Sequence, residues 1–101
     1  MGEPFFFEHD MGDTRDNIAR GFAHLLGGAA GEAVAAGETR VEIPAGSGKT
    51  IMLEVADMAP RPFGPIPLPV TRVRVTLLGY GAAEAESFRT DFHRAFQRGG
   101  G

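Results

Sequence analysis

The sequence predicts an α+β domain: an antiparallel sheet of about four to five strands with two helices packed on one face, in the order β-α-β-β-β-α. Three observations carry that expectation. Runs at residues 39–43, 51–55 and 71–78 alternate apolar and polar residues with the period of two that a half-buried strand requires. Two other runs, 13–28 and 81–98, repeat apolar residues at helical spacing. Glycine and proline clusters separate these runs.

Pro4 to His9 reads as the first strand, with Phe5 and Phe7 on one face and Phe6 on the other, because aromatic residues suit a pleated, half-buried surface. Asp10 to Asp13 is a turn, and Asp13 is placed to start the first helix with Asp16 in its first turn. Ile18, Phe22, Leu25 and Leu26 form that helix's apolar stripe, and Gly27-Gly28 ends it. Gly21 lies inside and costs about 1 kcal/mol against alanine, which points to close packing against the sheet. Ala29 to Gly37 has little to bury and reads as a loop with some helical character.

Val41 and Ile43, then Ile51, Leu53 and Val55, point inward along two strands joined by a short Gly/Ser turn, a β-hairpin pattern. Prolines at 60, 62, 65, 67 and 69 deny residues 59–69 a place in a central ladder. Pro60 to Pro69 is therefore a loop or an extended edge segment, anchored by Phe63, Ile66 and Leu68. Val73, Val75 and Leu77 face the core from the next strand, with Arg72, Arg74 and Thr76 opposite. The last helix carries Ala85, Phe88, Phe92, Ala95 and Phe96 on one face, acids Glu84 and Glu86 in its first turn, and Arg94 and Arg98 in its last. Gly99 to Gly101 is a frayed tail. All eight phenylalanines are expected in the core.

A chain of 101 residues allows one domain, 1–101. With no cysteine, disulfides, thiolate metal sites and cysteine nucleophiles are excluded. A net charge of −3 gives no global attraction to nucleic acid or anionic membrane. No run approaches the roughly 20 apolar residues of a membrane helix, and Met1 to Asp13 has neither a basic leader nor a signal-length apolar run. The expected location is cytoplasmic.

The segment Ala45-Gly46-Ser47-Gly48-Lys49-Thr50 ends like a phosphate-binding loop. That loop needs a glycine at 43, where Ile stands, and a helix after Thr50, where "IMLEV" has strand periodicity. It therefore reads as a hairpin turn in which Gly46 and Gly48 supply positive φ. Glu8, His9, Asp10 and Asp13 gather carboxylates and an imidazole within six residues, and His9, Asp10 and Asp13 are candidate metal ligands against the alternative of a solvated turn and helix cap. His24 lies beside the first helix's stripe and His93 beside the last one's; Ser47 and Ser87 have no nucleophile-elbow context. Arg40, Arg72 and Arg74 make a candidate basic stripe on an outward sheet face, a surface able to take single-stranded RNA if aromatics accompanied it. Glu42 and Glu54 are expected to neutralise it across strands. The proline segment could serve as a polyproline ligand, but a guard on the sheet edge explains it better.

These readings favour a small binding or assembly module without catalytic activity or cofactor, acting as a homodimer, with a protein or small molecule as a further partner and no membrane. The expected contact is the edge away from the prolines, or the outward face carrying Met52 and Thr76. Two other classes stand beside it: a small enzyme or metal-dependent site at His9, Asp10 and Asp13, and nucleic-acid binding through Arg40, Arg72 and Arg74, against which the acidic balance argues.

Overall fold

A computed structural model describes residues 4–97, with the side chains of Phe63 and Gln97 outside that description. Arg98 and the expected tail at Gly99 to Gly101 also fall outside it. The elements are β1 (Phe5–Met11), α1 (Arg15–Leu26), α2 (Gly28–Ala35), β2 (Arg40–Pro44), β3 (Thr50–Phe63), β4 (Ile66–Leu78) and α3 (Ala82–Gln97). The four strands form one antiparallel sheet in the order β1-β4-β3-β2. The α+β class and antiparallel sheet are as expected; the helices number three, and the order is β-α-α-β-β-β-α.

The added helix is α2, in the segment expected to be a loop. Its alanines favour helix intrinsically, and Ala30, Gly31 and Val34 give it a buried face despite its low polarity contrast. Gly31 lets the two helices touch: a Cβ there would stand 2.8 Å from the Ala19 carbonyl oxygen. Gly27, at φ +106°, closes α1 by donating its N–H to the Ala23 carbonyl and opens α2. At the other end of α1 the cap is Thr14, one residue later than expected. Its Oγ1 accepts the Asn17 N–H at 3.3 Å, while Asp13 Oδ1 accepts from Thr14 N–H and from Asn17 Nδ2.

The core lies between one sheet face and the helices. Ile18, Phe22, Val34, Leu53, Val55, Val73, Val75, Leu77 and Phe92 are all buried. The inward sets expected on the strands are therefore correct. The eight phenylalanines do not all join them. Phe22, Phe88 and Phe92 are buried, and Phe7 and Phe96 pack partly. Phe6 is 65% exposed, because alternation turns it to the open face, and Phe5 is exposed at the end of an edge strand. Gly21 does serve close packing, but against α3: a Cβ on it would meet the Phe96 ring, 2.7 Å from Cζ.

The largest departure concerns residues 58–69. They are not a loop but extended edge strands, each paired on one side only among the described residues, and the departure is that the two halves pair with each other. β3 and β4 stay paired to their tips, where Phe63 opposes Ile66 across a two-residue turn. Gly64 there has φ +61°, and Pro65 follows with its fixed negative φ, the sign pattern of a type II′ hairpin. β1 covers β4 only at Thr71–Leu77, and β2 covers β3 only at Thr50–Glu54. The rest is a two-stranded arm extending past the sheet, in a molecule 49 Å long and 24 by 21 Å across. A register shift between Met58 and Arg61 marks its base, where Ala59 and Pro60 bulge opposite Pro69. Ile66, expected as an anchor, is 65% exposed; Leu68 is half-buried and lies close to Gly12.

Candidate functional site

The alternation of β1 decides the fate of the expected metal cluster. Phe7, His9 and Met11 face the helices, whereas Glu8 and Asp10 face the open side. Successive strand residues cannot share a face, so His9 and Asp10 are separated by the strand itself. Asp10 instead holds Arg72 through two hydrogen bonds, at 2.7 and 3.1 Å. That hydrogen bond and the guanidinium charge hold the Asp10 carboxyl below its ordinary range. Asp13 is taken up at the start of α1. Among the described residues no group of three His, Asp or Glu side chains is placed to hold a metal ion.

The expected basic stripe is also accounted for by register. Glu8, Arg74, Glu54 and Arg40 oppose one another in turn across all four strands, an alternating row. Arg74 meets Glu8 at 3.0 Å and lies over the exposed Phe6 ring, and Arg40 reaches the Met52 sulfur at 3.1 Å. The acids of β1 are the partners that sequence reasoning missed; only the β1–β4 register, a contact across more than sixty residues, reveals them. The stripe is a zwitterionic surface with a shallow depression of about 350 Å³ along it.

The AGSGKT segment is a strand–turn–strand connection. Lys49 N–H donates to the Gly46 carbonyl and Ala45 N–H to the Lys49 carbonyl, with Gly46 at φ +91° and Gly48 at +75°. Strand β3 follows Thr50, so the chain does not run on from the turn into the helix that a phosphate-binding loop requires. Lys49 is nevertheless not idle. Its ammonium pairs with Glu84 and lies 5.4 Å from the Tyr80 ring centroid. Glu84 also accepts the Gly81 N–H at 2.9 Å, which caps α3; that bond first, and Lys49 second, hold its carboxyl low. The segment thus fastens the β2–β3 turn to the start of α3.

What remains is a groove between β1 and α3, about 550 Å³, which sequence reasoning did not find. Met11, Ile18, Phe92 and Phe96 supply apolar walls, and His9 and His93 lie at its polar side. His9 stacks on Phe92 at 5.7 Å between centroids and meets the exposed His93 edge-on at 5.1 Å. His9 Nε2 is buried with no hydrogen-bond partner among the described residues. Burial first, then His93 and Arg89, push the His9 pKa down. His24 is exposed on α1, and Ser47 and Ser87 are exposed on the β2–β3 turn and on α3.

No helix among the described residues is long and apolar enough to cross a membrane. Comparison with protein-family models, with curated proteins and with solved structures finds no match for this chain.

Proposed function

We propose that the protein is a cytoplasmic assembly module without catalytic activity, and that it acts as a homodimer joined through the β3–β4 arm. The observation that carries this reading is the arm itself. A two-stranded hairpin is marginal alone in water, yet this one extends past both edge strands and displays Ile66 at 65% exposure. Five prolines along it block strand addition. Contact must therefore come from side chains laid against a surface. Arg61 is the only charge in residues 58–69, so the arm is apolar and +1 while the whole chain is −3. That contrast suits an arm lying on the acidic body of a second copy.

The arm replaces the Met52/Thr76 face as the proposed contact. Met52 is already half-covered and engaged by Arg40, and the rows beside it are charged. The test is to replace residues 59–69 by Asn-Gly, which joins the Met58–Val70 pair by a two-residue hairpin turn. Light scattering at micromolar concentration should give twice the 10.7 kDa chain mass for the intact protein and a single chain mass for the shortened one, with unchanged circular dichroism. A single chain mass for the intact protein across a dilution series removes the proposal.

A further inference from the structure

We propose that the groove between β1 and α3 binds a small apolar monocarboxylic acid, its carboxylate between His9 and His93 and its hydrocarbon body against Met11, Ile18 and Phe96. This goes beyond the assembly reading and does not depend on it.

The groove has the size and mixture of a small-molecule site: a few hundred cubic ångströms, apolar walls and a small number of converging polar groups. Its polar side carries the imidazoles of His9 and His93 and two acids, Asp10 and Asp13. The charged groups acting on His9 are His93 and Arg89, both on α3 and both basic. The two acids at the groove are committed elsewhere. Asp10 is neutralised by Arg72 on the far side of the strand, and Asp13 is hydrogen-bonded at the positive end of the α1 dipole. A carboxylate complements two imidazoles and a guanidinium that have no acid partner among the described residues. A neutral or cationic ligand does not.

His9 Nε2 supplies the second observation. A buried ring nitrogen without a partner is costly and uncommon. His93 is exposed, so its rotamer is free to change, and it stands 5.1 Å from His9. A carboxylate entering between the rings accepts from Nε2 and favours the charged form of His9. Binding therefore takes up a proton. Affinity should rise as pH falls from 8 to 6, a range in which a carboxylic acid with an ordinary pKa near about 4 stays ionised.

The experiment uses the full chain with 2-naphthoate and its uncharged counterpart 2-naphthylmethanol. Binding is followed by calorimetry and by the histidine ring nitrogens in NMR. The expected result is saturable binding of one naphthoate per chain, about tenfold tighter than the alcohol. It should be tighter at pH 6 than at pH 8, with the His9 titration moved upward. His93→Ala and Arg89→Ala, both at exposed positions, should each weaken it about three- to tenfold without moving the unfolding temperature. Equal binding of acid and alcohol, binding indifferent to both variants, or no saturation by about 10 mM would overturn the proposal. Binding seen only after residues 59–69 are removed would assign the groove to a partner's arm, and would overturn it as well.

Discussion

Phe92 is, with Phe22, one of the two largest fully buried side chains of the core. It is 1% exposed and is central to a cluster of rings from three elements. Phe7 meets it edge-on at 5.0 Å, Phe96 lies at 4.7 Å, Phe22 at 6.1 Å, and His9 is stacked on it at 5.7 Å. Phe92→Ala removes the bulk joining β1, α1 and α3. Burial and cavity terms together make this worth about 3–5 kcal/mol, and the lost ring pairs place it toward the upper end. A domain of this length has a total stability of about 5–15 kcal/mol. At roughly 4–8 °C per kcal/mol, the unfolding temperature should fall by at least about 12 °C. The control is Phe6→Ala. The same residue type, 65% exposed on the other face of β1, should cost within about 0.5 kcal/mol apart from a weak contact with Arg74. Thermal and urea unfolding of both variants read the difference. Phe92→Ala melting within about 4 °C of the parent, or Phe6→Ala falling as far, would refute the assignment of faces.

Gly21→Ala gains about 1 kcal/mol of helix propensity but drives a methyl into the Phe96 ring, so it should destabilise the parent and stabilise a Phe96→Leu background; urea unfolding of the four-member cycle measures the sign. Lys49→Ala should cost about 0.5–1 kcal/mol at low salt and almost nothing near about 1 M NaCl, while ATP or GTP leaves the unfolding temperature of the parent unchanged. His9 has a folded pKa below its ordinary 6.5, so its contribution to stability is complete above that value and is lost as pH falls through 6.5 and through the lower folded value; His9→Gln should flatten the melting temperature in that window. Asp10 and Glu84, with lowered carboxyl pKa values, should add a separate loss only as pH falls below their ordinary 3.8 and 4.5.

Much of the fold was legible because it rests on local periodicity. The inward residues of β2, β3 and the sheet part of β4 are those that alternation selects, and the α1 and α3 stripes follow helical spacing. The misses have distinct physical origins. α2 has little amphipathic pattern because its buried face is alanine and glycine with the single large residue Val34; it is held by close approach to α1, a tertiary effect with little hydropathy signature. The prolines left residues 59–69 as either a loop or an extended edge segment, and the pairing of the two halves with each other went unread. Proline bars a central strand, and β3 and β4 beyond Met58 and Val70 are both edges, with Pro62 opposite Pro67. The overlooked signal was Gly64-Pro65, a two-residue connection whose first member takes positive φ.

The candidate site was less legible, and one register explains most of it. β1 is first in sequence but pairs with β4, so Phe5 opposes Leu77 and Met11 opposes Thr71. Reading Glu8 to Asp13 as a cluster assumes that neighbours in sequence share an environment. In a strand they do not: Glu8 and Asp10 go to the arginines of β4, and His9 goes inward to Phe92 and His93. The same division that dissolves the metal cluster shapes the β1–α3 groove, because it commits Asp10 to Arg72 and leaves His9 beside His93 and an apolar wall. Thr71 fixes this arrangement at the base of the arm: it is buried, and its hydroxyl donates to the Asp13 carbonyl at 3.0 Å. The arm, the start of α1 and the mouth of the groove therefore meet at one point. A ligand in the groove and a partner on the arm would act on the same few residues, Met11 to Asp13 and Leu68 to Thr71.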